Sequence, residues 1–132
     1  EIMSIDPTIK VVIIGGVPQW KPSLPKLLLR NKITGLSNFD GYMMRNNDFL
    51  KVKKKDSEII EMLLSYKNRG NISFISLLDL LCEDDRCLAV VSDCEKVEPI
   101  TFDYGHLSAA GSNVVARLIL NNDDVAASHC SD

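Results

Sequence analysis

The chain has 132 residues, 45% of them hydrophobic and 25% charged, with a net charge of −3. That length fits one domain with a real core. The weakly acidic balance excludes an electrostatic case for nucleic acid or for an anionic membrane surface, so no nucleic-acid partner is expected. No stretch approaches the ~20 apolar residues of a membrane span. The start, Glu1-Ile2-Met3-Ser4, has neither the basic nor the apolar region of a signal peptide and no initiator Met, so the chain is expected to be a piece of a longer protein.

In chain order, residues 9–16 form the clearest strand, a β-branched run ending in Gly15 and Gly16. A run without polar alternation suits a strand buried on both faces, as in a parallel sheet. The Gly15-Gly16-Val17-Pro18 loop would then lie at the carboxyl end of that strand, where open α/β sheets bind ligands. Trp20 follows and is read as a packing residue, with groove lining as the alternative. A short helix is expected around Leu24, Leu27, Leu28 and Leu29, after Pro22 and Pro25, and residues 31–47, rich in Asn, Gly and Asp, read as a long, partly packed loop. The basic run Lys51, Lys53, Lys54 and Lys55 reads as a solvated loop ahead of the next helix.

That helix is predicted over residues 56–69. Asp56 or Ser57 would cap it, Ile59, Ile60, Leu63, Leu64 and Lys67 would share one side, and Gly70 would end it. A strand over 71–76 and a short helical or turn segment over 77–81 come next, with Asp79 as a turn or cap residue. The strand–helix–strand order implies a right-handed parallel crossover.

Four cysteines follow: Cys82, Cys87, Cys94 and Cys130. A Cys82–Cys87 bond would close a loop around the turn formers Glu83-Asp84-Asp85-Arg86 and would imply an oxidising compartment. Reduced thiols in a cytosolic protein are the alternative, and the pairing of Cys94 with Cys130 stays open. Cys82, Cys87, Cys94 and His106 lack the spacing of common zinc sites, so no metal is expected. Residues 88–91 and 100–102 are apolar and β-prone, an irregular hairpin around Cys94. A last helix is predicted over 108–120, capped by Ser108 and buried along Val114, Val115, Leu118 and Ile119. Residues 121–132 read as a polar tail in which His129 has no role.

The most informative stretch is Asp103-Tyr104-Gly105-His106-Leu107-Ser108, which holds one of two histidines. In a turn, positions i and i+3 project to a common side, so Asp103 and His106 can meet without help from the rest of the fold. The carboxylate would accept from one ring nitrogen, fixing the tautomer, and the other nitrogen would be free to take a serine proton. Gly105 would allow an unusual backbone angle or a close approach of substrate. Tyr104 would shape the pocket mouth or face solvent. The plain alternative is a surface Asp and His beside a helix start.

Phe102-Asp103-Tyr104-Gly105-His106-Leu107-Ser108-Ala109-Ala110-Gly111 resembles the last motif block of the SGNH hydrolase superfamily, Asp-x-x-His-Leu followed by a small residue and Gly. The rest is similar to the SGNH domains attached to membrane acyltransferases of the acyltransferase family 3 type. Those domains carry a buried strand ending in a Gly-x-x-Pro turn, as in Val12 to Pro18. They also carry a strand, an Asp-containing turn and a cysteine pair, as in Phe74 to Asp79 followed by Cys82 and Cys87.

The resemblance implies a three-layer α/β/α domain with a mainly parallel sheet, which transfers or hydrolyses O-linked acyl groups, often acetyl, on cell-envelope glycans. It implies His106 as catalytic base, Asp103 as its orienting acid, a structural Cys82–Cys87 disulfide and no cofactor. It also implies a glycan or acyl-ester substrate, attachment to a membrane acyltransferase domain, and an extracytoplasmic location tethered through the parent protein. No Gly-Asp-Ser nucleophile block occurs here, and neither the oxyanion Gly nor the Asn can be placed. The chain is therefore expected to be the C-terminal portion of such a domain and inactive alone, since loss of one oxyanion donor already costs about a hundredfold. A degenerate domain that only binds a glycan or protein partner is the alternative, and a cytosolic regulatory or redox module is a third.

Overall fold

The computed structural model describes residues 8–31, 41–44, 48–65, 71–92 and 97–120. Lys67, Gly70, Cys94, His129 and Cys130, and the tail over 121–132, lie outside the described residues. The architecture is α/β, as expected. Strand β1 (Val11–Ile14) lies parallel to β3 (Ile72–Ile75), with Val11 opposite Ile72 and Ile14 opposite Ile75. Gly15 N–H extends the ladder to the Ile75 carbonyl at 2.8 Å. The other strand pairings among the described residues are antiparallel.

The reading of β1 as covered on both faces needs correction. Val12 and Ile14 are each 51% exposed, so one face of the strand is open among the described residues. An unbroken apolar run is compatible with two-sided burial but cannot supply the layer that would cover the second side.

Helix α1 (Leu24–Arg30) has Pro25 in its first turn, where a missing N–H is harmless, and buries Leu24 and Leu28 one turn apart. Strand β2 (Tyr42–Met44) follows within what read as loop and pairs with the later cysteine hairpin.

Helix α2 (Asp48–Ser65) starts a full two turns earlier than its apolar periodicity indicates, so the lysine run is helical and not a loop. Its buried stripe is Phe49, Val52 and Asp56, and the lysines occupy the solvent sides. Asp48 anchors the first turn, accepting from Lys51 Nζ at 2.8 Å and pairing with Lys21 Nζ at 3.6 Å. The Lys51 hydrogen bond holds the Asp48 carboxyl below its ordinary range.

Asp56 is therefore not a cap. It is buried in mid-helix, accepts from Ser76 Oγ at 3.1 Å and from Gly16 N–H at 3.4 Å. A buried carboxylate must be hydrogen-bonded, and this one ties α2 to the carboxyl ends of both parallel strands. A side chain at Gly15 would meet Asp56 Oδ2 at 2.8 Å, so only glycine lets the strand exit pass that close.

Helix α3 (Leu77–Leu81) is capped by Ser76, whose Oγ accepts from Asp79 N–H at 3.3 Å. It buries Leu77, Leu78 and Leu81. Asp79 is exposed in the first turn, where a carboxylate suits the helix dipole.

Strands β4 (Cys82–Glu83) and β5 (Arg86–Leu88) form a tight hairpin, with Asp84 in the left-handed region at φ 51° and a disulfide joining the facing Cys82 and Cys87. Closing so short a loop contributes about 2 kcal/mol in chain-entropy terms. The expected hairpin is present, with its strands shifted by a few residues and Ile100 N–H donating to the Ala89 carbonyl at 2.8 Å. Strands β6 (Val90–Ser92) and β7 (Val97–Pro99) pair with each other, and Thr101 bridges to Leu107.

Helix α4 (Ala109–Ile119), the last element among the described residues, packs so near Ile100 that Gly111 has no room for a Cβ. An added methyl would meet Ile100 Cγ1 at 2.9 Å and the Ile100 carbonyl more closely still. Helix propensity alone favours alanine by about 1 kcal/mol, but displacing backbone in a packed core costs typically 1–3 kcal/mol or more. Gly111→Ala is therefore expected to lower stability by about 1–2 kcal/mol. It would be read as a reduced urea midpoint at unchanged slope, and a raised midpoint would contradict this packing.

Candidate active site

The Asp103–His106 loop leaves the sheet region after Ile100 and enters α4. Its ends are pinned by local bonds. Phe102 N–H donates to the His106 carbonyl at 3.0 Å, and Ser108 N–H donates to the Ile100 carbonyl at 2.9 Å. Thr101, fully buried, turns its hydroxyl to the Asp103 carbonyl at 3.3 Å. Ser108 caps α4, its Oγ accepting from Gly111 N–H at 3.0 Å. The loop is thus a short tether between a closed bridge and a capped helix.

Within it, every strong interaction converges on the Asp103 carboxylate. Oδ1 accepts from Gly105 N–H at 2.9 Å and from His106 N–H at 2.8 Å, and Oδ2 meets His106 Nδ1 at 2.6 Å. These bonds hold the Asp103 carboxyl at about 2, below the ordinary 3.8, the Gly105 N–H contributing most and the His106 side chain next. An ionised carboxylate can only accept, so Nδ1 carries the proton. The lone pair of the neutral imidazole is then at Nε2. The side chain of His106 is 63% exposed, and among the described residues Nε2 has no hydrogen-bond partner. The arrangement is an oriented, largely exposed imidazole whose basic nitrogen is unpartnered among the described residues.

A lowered carboxyl pKa stabilises the fold where the native group is ionised and the unfolded one is protonated or becoming so. Asp103 therefore contributes its full share above about pH 4 and loses it as pH falls toward about 2. A carbon-13 titration of this carboxyl is expected to have its midpoint near 2, and a midpoint near 4 would mean that the turn does not hold it.

The loop is backed by residues far away in sequence. Trp20 N–H donates to the Tyr104 carbonyl at 2.7 Å, and Leu24 N–H donates to the Asp103 carbonyl at 3.2 Å. Trp20 itself is 1% exposed, so its groove-lining alternative is excluded, and its indole N–H has no partner among the described residues. Gly105 does not adopt the unusual backbone angle considered for it. Its φ lies outside the left-handed region, and a Cβ there would meet Gln19 Cγ at 3.4 Å. Gln19, Trp20 and Leu24 as supports of this loop carry no local sequence signal.

Two rings flank the imidazole. Phe102 stacks on His106 with centroids 5.8 Å apart and planes at 17°, and Tyr104 meets it edge-on at 5.6 Å and 69°. The disulfide sits elsewhere, in the β4–β5 hairpin, where Cys87 is part of the core. Among the described residues no group of His, Cys, Asp and Glu could hold a metal ion, and no helix is long and apolar enough to cross a membrane.

Residues 4–121 match the family of SGNH domains fused to AT3 domains, and the chain belongs to that family. Its fold is similar to the periplasmic domain of a lipopolysaccharide acetyltransferase from Salmonella ser. Paratyphi A, with a TM-score of 0.65 and 26% identity. The similarity covers 92% of this chain and 44% of that one, so the chain spans less than half the length of that domain. None of the curated proteins matches the sequence.

Proposed function

We propose that the chain supplies the general-base half of an SGNH-type acyl-transfer centre, with the serine nucleophile and the oxyanion donors contributed from outside it. The observation that carries this reading is the 2.6 Å contact between His106 Nδ1 and an Asp103 carboxylate already locked by two backbone N–H groups. Such a carboxylate fixes the tautomer that leaves Nε2 basic.

Nε2 takes the serine proton as the serine oxygen attacks the acyl carbonyl. It then returns that proton to the leaving oxygen, leaving an acyl-serine. In the second half, Nε2 takes the proton of an acceptor hydroxyl as that oxygen attacks the acyl-serine. The proton passes back to the serine oxygen when the new ester is released. Water in place of the acceptor gives hydrolysis by the same route.

The acyl group is read as acetyl and the acceptor as a hydroxyl of a cell-envelope glycan. This follows the family and the lipopolysaccharide acetyltransferase domain to which the fold is similar. The location is read as extracytoplasmic, with tethering through a membrane acyltransferase domain. A Cys82–Cys87 disulfide fits an oxidising compartment.

The test is covalent labelling of the intact protein with a fluorophosphonate, followed by peptide mass spectrometry. The expected result is a single labelled serine outside this chain, labelled far more slowly in the His106→Ala variant. Absence of a labelled serine, or labelling indifferent to His106, would reduce the chain to a binding module of the same fold.

A further inference from the structure

We infer that Phe102 and Tyr104 form the platform on which the ring of the acceptor sugar stacks while its hydroxyl is presented to His106. The inference rests on the acyl-transfer reading of the site. It begins from an oddity of burial. Phe102 is 63% exposed and Tyr104 is 50% exposed, while Trp20, directly behind the same loop, is 1% exposed. The fold therefore buries an aromatic residue here when packing calls for one, and leaves two others exposed against the exposed His106 imidazole.

Distance then decides what they touch. A hydroxyl that gives its proton to Nε2 must come within hydrogen-bond reach of it, about 2.6–3.2 Å. In a pyranose the ring carbons are one or two bonds from that oxygen, so the ring lies within a few ångströms of the imidazole. The Phe102 and Tyr104 centroids are 5.8 and 5.6 Å from the imidazole centroid, one parallel to it and one across it. A sugar ring in that position meets aromatic surface on the flank of His106.

The chemistry also matches. An aromatic face is electron-rich, and the C–H groups on one side of a pyranose are polarised by their oxygens, so the two attract while water is excluded. Tyr104 adds a phenol that can bond an equatorial hydroxyl. An acetyl group is too small to span both rings, so the donor side of the reaction has no comparable use for them.

The experiment uses the intact protein with p-nitrophenyl acetate as donor. Transfer is compared between methyl α-D-glucopyranoside and glycerol, which offers hydroxyls without a ring. In Tyr104→Ala and Phe102→Ala, KM for the glucoside is expected to rise about tenfold and the preference over glycerol to fall equally, whereas Tyr104→Trp keeps the preference. An unchanged preference in both alanine variants overturns the platform. So does a change that follows donor chain length, from acetate to butyrate, in place of acceptor identity.

Titration of the glucoside against the Tyr104 and His106 ring resonances gives a readout independent of turnover. His106 shifts in the wild type that vanish in Tyr104→Ala support the platform, and no shifts in the wild type overturn it. His106→Ala is assayed beside them. Retained transfer in that variant refutes the base assignment, while abolished transfer with an unchanged glucoside preference in the alanine variants refutes the platform alone.

Discussion

His106→Ala in the intact protein is expected to lower kcat for acyl transfer by about 10³-fold or more, with little effect on folding. The size follows from the two roles proposed for the ring, which would be lost together. The serine proton has no acceptor at the moment of attack, and the leaving oxygen has no donor when the tetrahedral species collapses. The small effect on stability follows from exposure, because the imidazole is largely in solvent. Its backbone N–H, which the substitution keeps, supplies one of the bonds that close the turn. The measurement is single-turnover acyl transfer beside a thermal melt. A variant with turnover within tenfold of wild type would exclude His106 as the base.

Asp103→Asn is expected to cost about 10²- to 10⁴-fold in kcat at nearly unchanged melting temperature. The amide oxygen can still accept from the Gly105 and His106 N–H groups, so the turn survives. The amide nitrogen, placed where Oδ2 meets Nδ1, donates to the ring instead of accepting from it. The neutral imidazole then carries its proton on Nε2, the wrong atom for taking one from a hydroxyl. Asp103→Ala removes the turn bonds as well and should lower both turnover and stability. The contrast between the two variants separates orientation of the base from folding of the loop. An Asn variant with full activity would show that the carboxylate does not set the tautomer.

Much of the fold is legible because its causes are local. The β-branched run at Val11–Ile14, the Pro-started Leu24–Arg30 helix and the Ser76- and Ser108-capped helices follow from propensity and capping within a few residues. The start of the Asp48–Ser65 helix was hidden because its buried stripe includes a carboxylate. Asp56 reads as polar and surface-seeking until Ser76 and Gly16 are seen to satisfy it. The Tyr42–Met44 strand was hidden because only its partner across the Cys82–Cys87 hairpin makes it one.

The Asp103–His106 contact itself could be read from the order of residues, since a carboxylate three positions before a histidine reaches it through a single turn whatever the surroundings. What holds that turn could not. Trp20 and Leu24 donate to its carbonyls and Gln19 lies against Gly105, all from the other end of the chain. Spacing says nothing about which distant backbone a loop will meet, because such contacts arise only when the core around Trp20 and Leu24 closes. The outward setting of Phe102 and Tyr104 and the burial of Trp20 were decided in the same way: packing chooses among aromatic side chains whose intrinsic preference for the interior is alike.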